Sequence, residues 1–159
     1  MSIYQKNTAV FFYKFIIVHF FTYLIFGILF MYISNYFDYF AKDEVLSTVM
    51  KPADALSVRL AVPAQIIRGF LLALAIYPFR IVIFGKQYGW LRFFWLMFIL
   101  TSIGAVITGP GSIEGILYTK FKFNPLIGLP EICLQMLTFS WIFCKWMKLK
   151  MPTGEDMNL

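Results

Sequence analysis

Histidine, cysteine and acidic residues are scarce in this sequence. Its 159 residues include one histidine, His19, two cysteines, Cys133 and Cys144, and only eight aspartates and glutamates. Structural zinc sites take four ligands, mainly cysteine and histidine, and no second cysteine/histidine pair offers the required spacing. The two cysteines lie about 16 Å apart along one predicted helix, which is too far for a disulfide within it. We therefore expect no metal site and no cofactor.

Charged residues are also few and mainly of one sign. They make up 14% of the chain, with 14 basic against 8 acidic residues and a formal net charge of +6. The basic residues lie at the ends of apolar runs, whereas nucleic-acid-binding proteins concentrate them on one face. This distribution argues against nucleic acid as a partner and is typical of loops that flank membrane helices.

Hydrophobic residues fill most of the chain. They account for 60% of it, aromatic residues for 20%, and the mean hydropathy is +0.75, which is outside the range of soluble domains. Four apolar runs approach the roughly 20 residues that span a bilayer, and they lie at about residues 11–37, 57–79, 90–108 and 126–147. The sequence therefore predicts an all-α fold, an integral membrane four-helix bundle over residues 1–150, followed by a flexible polar tail at 151–159.

Local signals predict how the spans are connected. Pro78 predicts that the second helix bends or ends near Tyr77, because proline removes a backbone donor. The polar segment 40–56 predicts a loop in water. Residues 112–123 are amphipathic, fit either a helix or a strand, and are predicted to lie at the membrane surface.

Lysine and arginine predict the orientation of the spans. Eight basic residues flank the N-terminal side of the bundle and five flank the other side, where five acidic residues offset them. The first group is Lys6, Lys14, Arg80, Lys86, Arg92, Lys145, Lys148 and Lys150, and the second is Lys42, Lys51, Arg59, Lys120 and Lys122. Because cytoplasmic loops carry the excess of basic residues, both termini are predicted to be cytoplasmic.

Two pairs of polar residues lie inside predicted spans. Gln65 and Arg68 are three residues apart and Glu131 and Gln135 are four apart, so each pair occupies one helix face. A charge in the hydrocarbon core is costly, and pairing Arg68 with Glu131 is the least costly way to hold either. We expect the four residues to form one polar cluster. The cluster either fixes helix register or binds a solute or ion in a wet cavity.

Two further features lie within the spans. His19 lies about two turns inside the cytoplasmic end of the first span, where it either makes an interhelical hydrogen bond or relays protons toward the cluster. Gly69 and Ala73 have the small-residue spacing that lets membrane helices approach closely.

The string GPGSIEG is the most distinctive motif. Gly109, Pro110 and Gly111 end the third span, because proline cannot continue a helix and glycine permits unusual backbone angles. With Ser112 and Glu114, they predict either a structured external turn or a lid or mouth over the polar cluster. Ser112 is not expected to be a catalytic nucleophile.

These features predict a small, non-enzymatic integral membrane protein that binds or passes a small solute, an ion or a lipid headgroup. The expected partners are the bilayer, an anionic small molecule or lipid headgroup, and either a second copy or another membrane protein. One alternative is a structural subunit of a larger membrane complex. Another is an intramembrane lipid-modifying enzyme, with Glu131 or His19 as general base and the glycine turn supplying oxyanion donors. No catalytic residue is assigned.

The chain resembles a group of small bacterial four-span membrane proteins of uncharacterised function. The resemblance rests on QIIRG, YPFR, YGWL, GPGSIEG and LPEICLQ and covers about residues 50 to 140. It implies a multi-pass protein of the bacterial inner membrane and groups Arg68, the GPGSIEG turn and Glu131 into one functional unit. It implies no activity.

Overall fold

The described part of the chain is all-helical. A computed structural model describes residues 8–42, 44–49, 51, 55–84, 88–105, 112–118, 120, 124 and 126–147. In chain order the helices are α1 (Thr8–Ile33), α2 (Tyr36–Lys42), α3 (Glu44–Val49), α4 (Leu56–Arg59), α5 (Ala61–Ile76), α6 (Arg80–Phe84), α7 (Gly89–Phe98), α8 (Ile113–Tyr118) and α9 (Leu129–Trp146). The all-α class predicted from the sequence is confirmed.

Two helical stretches in the described residues are long and apolar enough to cross a membrane. They are α1, with a hydropathy of 2.2, and the 24 residues Ala61–Phe84, with a hydropathy of 1.9. In the most apolar 18 residues of each stretch, only 22% of the residues are buried inside the protein. The core helix of a soluble protein would be mostly buried. Length, composition and low burial together favour association with a membrane.

Helix α1 lies between α5 and α9 and runs antiparallel to both. At one end of α1, Thr8 bonds to the hydroxyl of Tyr77 at 2.7 Å, and the Lys14 Nζ donates to the carbonyl of Trp146 at 2.9 Å. At the other end, Gly27 faces the side chain of Glu131. Helices α5 and α9 are therefore parallel to each other and separated by α1.

The sequence pattern explains which faces meet. On α5 the buried residues recur at every third or fourth position and form one stripe that faces α1: Gln65, Gly69, Ala73 and Ile76. On α1 the buried residues form a matching stripe: Phe11, Phe15, Val18, His19, Thr22 and Phe30. Spacings of three and four residues place side chains on one helix face. Helix α7 completes the packing by lying against α9.

A cluster of phenylalanines fills the core toward the end of the bundle where α1 begins. Phe15, Phe93, Phe139 and Phe143 are each fully buried. The ring of Phe15 meets those of Phe139 and Phe143 edge to face, with centroids 5.0 and 5.2 Å apart. This geometry brings the positive ring edge onto the negative face of the neighbour. We call these four residues the phenylalanine core.

The connections differ in part from the sequence prediction. Helix α5 ends at Ile76, and Pro78 lies in the 3-10 turn Tyr77–Phe79, as predicted. Segment 40–56, predicted to be a loop, instead contains the end of α2, the whole of α3 and the first residue of α4. An ion pair between Asp38 and Lys42, at 3.2 Å and one helical turn apart, helps stabilise α2.

Helix α7 continues into a π-helical turn, Ile99–Ile103. The amide of Gly104 donates to the carbonyl of Ile99 at 2.8 Å, and the Thr101 hydroxyl donates to the carbonyl of Met97 at 2.6 Å. Such turns are rare in proteins, and those that occur often lie at functional sites. The sequence predicted an uninterrupted helix to about residue 108, and residues 106–111 lie outside the described part.

Candidate functional site

His19 lies at the middle of α1 and faces α5. It follows Thr8 by eleven residues and precedes Ile33 by fourteen, so it is about 16 Å and 21 Å from the two ends of the helix. Its side chain is fully buried. A Cβ placed on Gly69 would lie 3.1 Å from the His19 Cδ2, which is tighter than most such contacts. Glycine at position 69 is therefore what lets the imidazole lie against the α5 backbone.

Gln65 and Arg68 belong to the surroundings of the same imidazole. The guanidinium of Arg68 is close enough to act on the His19 ring electrostatically, and the carboxamide of Gln65 faces the ring. The Gln65 Nε2 donates to the Ala61 carbonyl of its own helix at 3.2 Å. We call His19, Gln65, Arg68 and Gly69 the His19 site.

The His19 site contains buried polar atoms that lack hydrogen bonds. Within the described residues, neither ring nitrogen of His19 nor the Oε1 of Gln65 forms a hydrogen bond of regular geometry, although the Gln65 carboxamide lies within hydrogen-bonding reach of the ring. Leaving a buried donor or acceptor unsatisfied costs about 1–3 kcal/mol for each group. Native proteins rarely keep such groups, so each one requires an explanation, and a bound molecule that completes the hydrogen bonds is a common one.

Arg68 differs from the other members of the site because its side chain is exposed. It lies beside the buried stripe of α5, on a face shared with the exposed apolar residues Ile67 and Leu71. Among the described residues the only salt bridge joins Asp38 and Lys42. The direct Arg68–Glu131 pair expected from the sequence is therefore not formed in this structure.

Glu131 has a different partner. Its Oε2 accepts a hydrogen bond from the hydroxyl of Tyr36, at the start of α2. A Cβ placed on Gly27 would lie 3.9 Å from the Glu131 Oε1, so the carboxylate also lies against α1. Burial raises the pKa of the Tyr36 phenol above its ordinary value, and the Glu131 carboxylate raises it further. The phenol therefore stays protonated and remains a donor to Glu131. We call this contact the Tyr36–Glu131 latch.

The latch and the His19 site occupy different depths along α1. Gly27, at the latch, follows His19 by eight residues, which is about 12 Å along the helix. Gln135 is buried one turn along α9 from Glu131. Gln65 and Arg68 thus lie near His19, and Glu131 lies at the latch. The grouping of all four residues, Gln135 included, stays a prediction.

The residues of the GPGSIEG motif are only partly described. Gly109, Pro110 and Gly111 lie outside the described residues, as does the side chain of Glu114. Ser112 is buried and its carbonyl accepts from the amide of Ile116 at 3.0 Å. Helix α8 then exposes its large apolar side chains, including Leu117. The position of the motif as a lid or mouth stays a prediction.

Two polar residues at these sites were missed by the sequence reasoning. The pairing of Tyr36 with Glu131 has no signature in residue spacing. Ser140 is fully buried and its Oγ has no hydrogen-bond partner among the described residues. The sequence signal for Ser140 is its position among aromatic residues of the predicted fourth span, which would have indicated a buried hydroxyl.

Neither a metal centre nor a relationship to a known protein emerges. Within the described residues, no group of three histidine, cysteine or acidic side chains could hold a metal ion. Comparison of the chain with protein-family models, curated proteins and solved structures finds no match. The resemblance to small bacterial four-span proteins therefore stays a prediction, and the function has to be argued from the geometry.

Proposed function

We propose that the protein is a four-span protein of the bacterial inner membrane, with both termini in the cytoplasm. The two long apolar helices α1 and Ala61–Phe84 support two of the spans. The third would be the apolar stretch Gly89–Ile103 and the fourth α9, about 22 and 27 Å long at 1.5 Å per residue. Both are somewhat shorter than the roughly 30 Å hydrocarbon core of a bilayer. Such a mismatch is accommodated when the bilayer thins locally around the protein or when flanking side chains extend toward the headgroups.

Within that bundle, we propose that the His19 site binds or passes a small anionic solute, ion or lipid headgroup without chemical conversion. One observation carries the proposal: in the part of the chain that the structure describes, buried polar atoms of His19 and Gln65 lack hydrogen bonds of regular geometry near an exposed arginine. A histidine and a glutamine kept only to lock helices together would be expected to satisfy their hydrogen bonds. A bound anion would compensate the charge of Arg68 and accept a hydrogen bond from an N–H of His19, whereas the Oε1 of Gln65 needs a donor such as a hydroxyl of the ligand.

The enzyme alternative receives less support from the geometry. It requires Glu131 or His19 to act as a base near one reacting group. Glu131 is engaged by Tyr36 and lies about 12 Å along α1 from His19. Glu131, one of the two candidate bases, is thus already engaged, and Gly109 and Gly111, which would supply the oxyanion donors, lie outside the described residues.

A ligand screen by thermal shift tests the proposed function. Purified protein in detergent would be screened against inorganic anions, small carboxylates, sugars, amino acids and short-chain lipids. We expect at least one anionic compound to raise the melting temperature of the wild-type protein, since a ligand that binds only the folded state stabilises it. The shift should be lost in Arg68→Gln and reduced in Gln65→Leu.

Arg80→Gln is the matched control for this screen. Arg80 lies on the same apolar stretch as Arg68, but its Nη1 donates to the Tyr77 carbonyl at 2.9 Å and its guanidinium lies over the Tyr77 ring. It should keep the ligand shift. Shifts that persist unchanged in Arg68→Gln, or a screen without any shift, would contradict a binding role.

A further inference from the structure

We propose that the anionic group bound at the His19 site is the phosphate of a phospholipid, which reaches Arg68 sideways from the outer leaflet. The inference rests on the proposed function and specifies its ligand. It assigns Arg68 as the phosphate-binding residue and Gln65 as the residue that accepts a hydrogen bond from the headgroup. His19, which is fully buried behind Gln65, serves as a positioning residue.

The surface around Arg68 favours a ligand that arrives through lipid. The exposed face of α5 is apolar above and below the arginine, with Ile67 65% and Leu71 57% exposed. In a membrane this face is covered by acyl chains. A soluble anion would have to leave water to reach the guanidinium there, at a high desolvation cost. A phospholipid already brings its phosphate to the edge of the acyl-chain region.

The direction of the Arg68 side chain lets it reach from the hydrocarbon region toward the headgroups of the outer leaflet. Arg68 follows Ala61, the first residue of α5, by seven residues, which is about 10 Å along the helix. Side chains on a helix tilt toward its N-terminus, and a long arginine extends further in that direction by snorkelling. In the proposed topology the N-terminus of α5 is the external end. The guanidinium is thereby directed toward the outer phosphates.

The charge of Arg68 also requires an anion. Of the described carboxylates, none forms a salt bridge with it, and Glu131 bonds to Tyr36 instead. An unpaired cation in the hydrocarbon region is unfavourable, and phosphate matches the guanidinium fork with two parallel hydrogen bonds. The Oε1 of Gln65, three residues away on the same helix and on a residue that is only 8% exposed, lacks a partner among the described residues and can accept from a headgroup hydroxyl once the side chain turns outward. The pair thus offers both a charge and an acceptor.

Binding of short-chain lipids to delipidated protein tests this inference. The protein would be purified in an uncharged, phosphate-free detergent and titrated with dioctanoyl phosphatidylglycerol, with bound lipid counted by native mass spectrometry. Dioctanoylglycerol has the same chains without phosphate, and glycerol 3-phosphate has the phosphate without chains. We expect one phosphatidylglycerol per chain, and affinities about tenfold or more lower for both of the other compounds.

Variants at Arg68 connect the binding to the proposed residue. Arg68→Gln should weaken phosphatidylglycerol binding about tenfold, and Arg68→Lys should weaken it less, because lysine keeps the charge but loses the paired hydrogen bonds. Arg80→Gln should bind as the wild type does. Because Arg68→Gln removes a charge without adding bulk, its folding can be verified by its melting temperature in detergent.

The outcomes separate the two proposals. If glycerol 3-phosphate binds as tightly as the lipid and depends on Arg68, the ligand is a soluble anion, which overturns the lipid inference and leaves the proposed function standing. If dioctanoylglycerol binds as tightly as phosphatidylglycerol, acyl chains rather than phosphate are recognised and the inference is wrong. If no anion binds, both proposals are overturned.

Discussion

The phenylalanine core and the His19 site touch each other but are built in opposite ways. The His19 ring lies 5.7 Å from the ring of Phe139, centroid to centroid. On the Phe139 side, fully buried aromatic rings pack against one another, and Ser140 is the one buried side chain there that lacks a hydrogen-bond partner among the described residues. On the His19 side, buried nitrogen and oxygen atoms lack partners next to an exposed charge. The difference indicates that one region stabilises the bundle and the other is kept for binding.

This contrast predicts how substitutions divide between stability and function. Replacing aromatic core residues should lower the free energy of unfolding strongly and leave the chemistry of the site intact. Replacing unpartnered polar residues should have little effect on stability and abolish binding. Sites that bind ligands commonly retain such locally unfavourable groups.

Phe139→Ala should give the largest loss of stability. Truncating a fully buried phenylalanine typically lowers the free energy of unfolding by about 3–5 kcal/mol. Ser140→Ala, at the neighbouring position, removes a buried hydroxyl without a partner and should change it by less than about 1 kcal/mol. Reversible unfolding in mixed detergent micelles measures both. Equal losses at the two positions would contradict the role of the buried aromatic ring as the stabilising element in this part of α9.

The Tyr36–Glu131 latch should have the next largest effect. Hydrogen bonds to charged groups contribute about 1.5–3 kcal/mol, and Glu131→Gln should lose much of that amount. A double-mutant cycle with Tyr36→Phe isolates the contact, because the second substitution should then cost little. Additive effects of the two substitutions would show that the latch does not couple α2 to α9.

Gly69→Ala should have a smaller effect that depends on His19. The added methyl would contact the imidazole at 3.1 Å, and we expect a loss of about 1 kcal/mol from the forced shift. In the His19→Ala background the same substitution should become neutral or stabilising, since alanine favours helices over glycine by about 1 kcal/mol. Unfolding of the four variants measures this coupling. An identical loss in both backgrounds would show that the added methyl group does not act through its contact with His19.

Gln65→Leu should have the smallest effect on stability. It removes an acceptor that lacks a partner among the described residues but also the Nε2 hydrogen bond to the Ala61 carbonyl, so we expect the free energy of unfolding to change by less than about 1 kcal/mol. The same variant should bind the anionic ligand more weakly than the wild type. A large loss of stability would mean that the carboxamide has a structural role after all.

Hydropathy and local chemistry predicted the elements of the fold. Apolar runs predicted long helices, Pro78 predicted the end of α5 at Ile76, and the Gly69/Ala73 spacing predicted a close helix contact, which Gly69 makes with His19. These features depend on neighbouring residues along one chain segment. They can therefore be predicted from the sequence.

The contacts between polar residues on different helices could not be predicted from the sequence in the same way. The Arg68–Glu131 pair was expected because both residues lie in spans that run in the same direction. The structure places α1 between those spans, so Glu131 meets Tyr36 and Arg68 faces His19 from the other side. The order of helices around a bundle depends on three-dimensional packing, which periodicity does not encode. The π-helical turn after α7 likewise has no clear signature in its sequence, ILTSI.

The most direct test is an experimental structure of the protein in a phospholipid bilayer, at a resolution that shows ordered lipid and water. The account predicts headgroup density on the Arg68 guanidinium, with a polar contact to the Gln65 carboxamide. A dry site in which His19 and Gln65 bond directly to each other, and Arg68 contacts only acyl chains or a protein carboxylate, would contradict it.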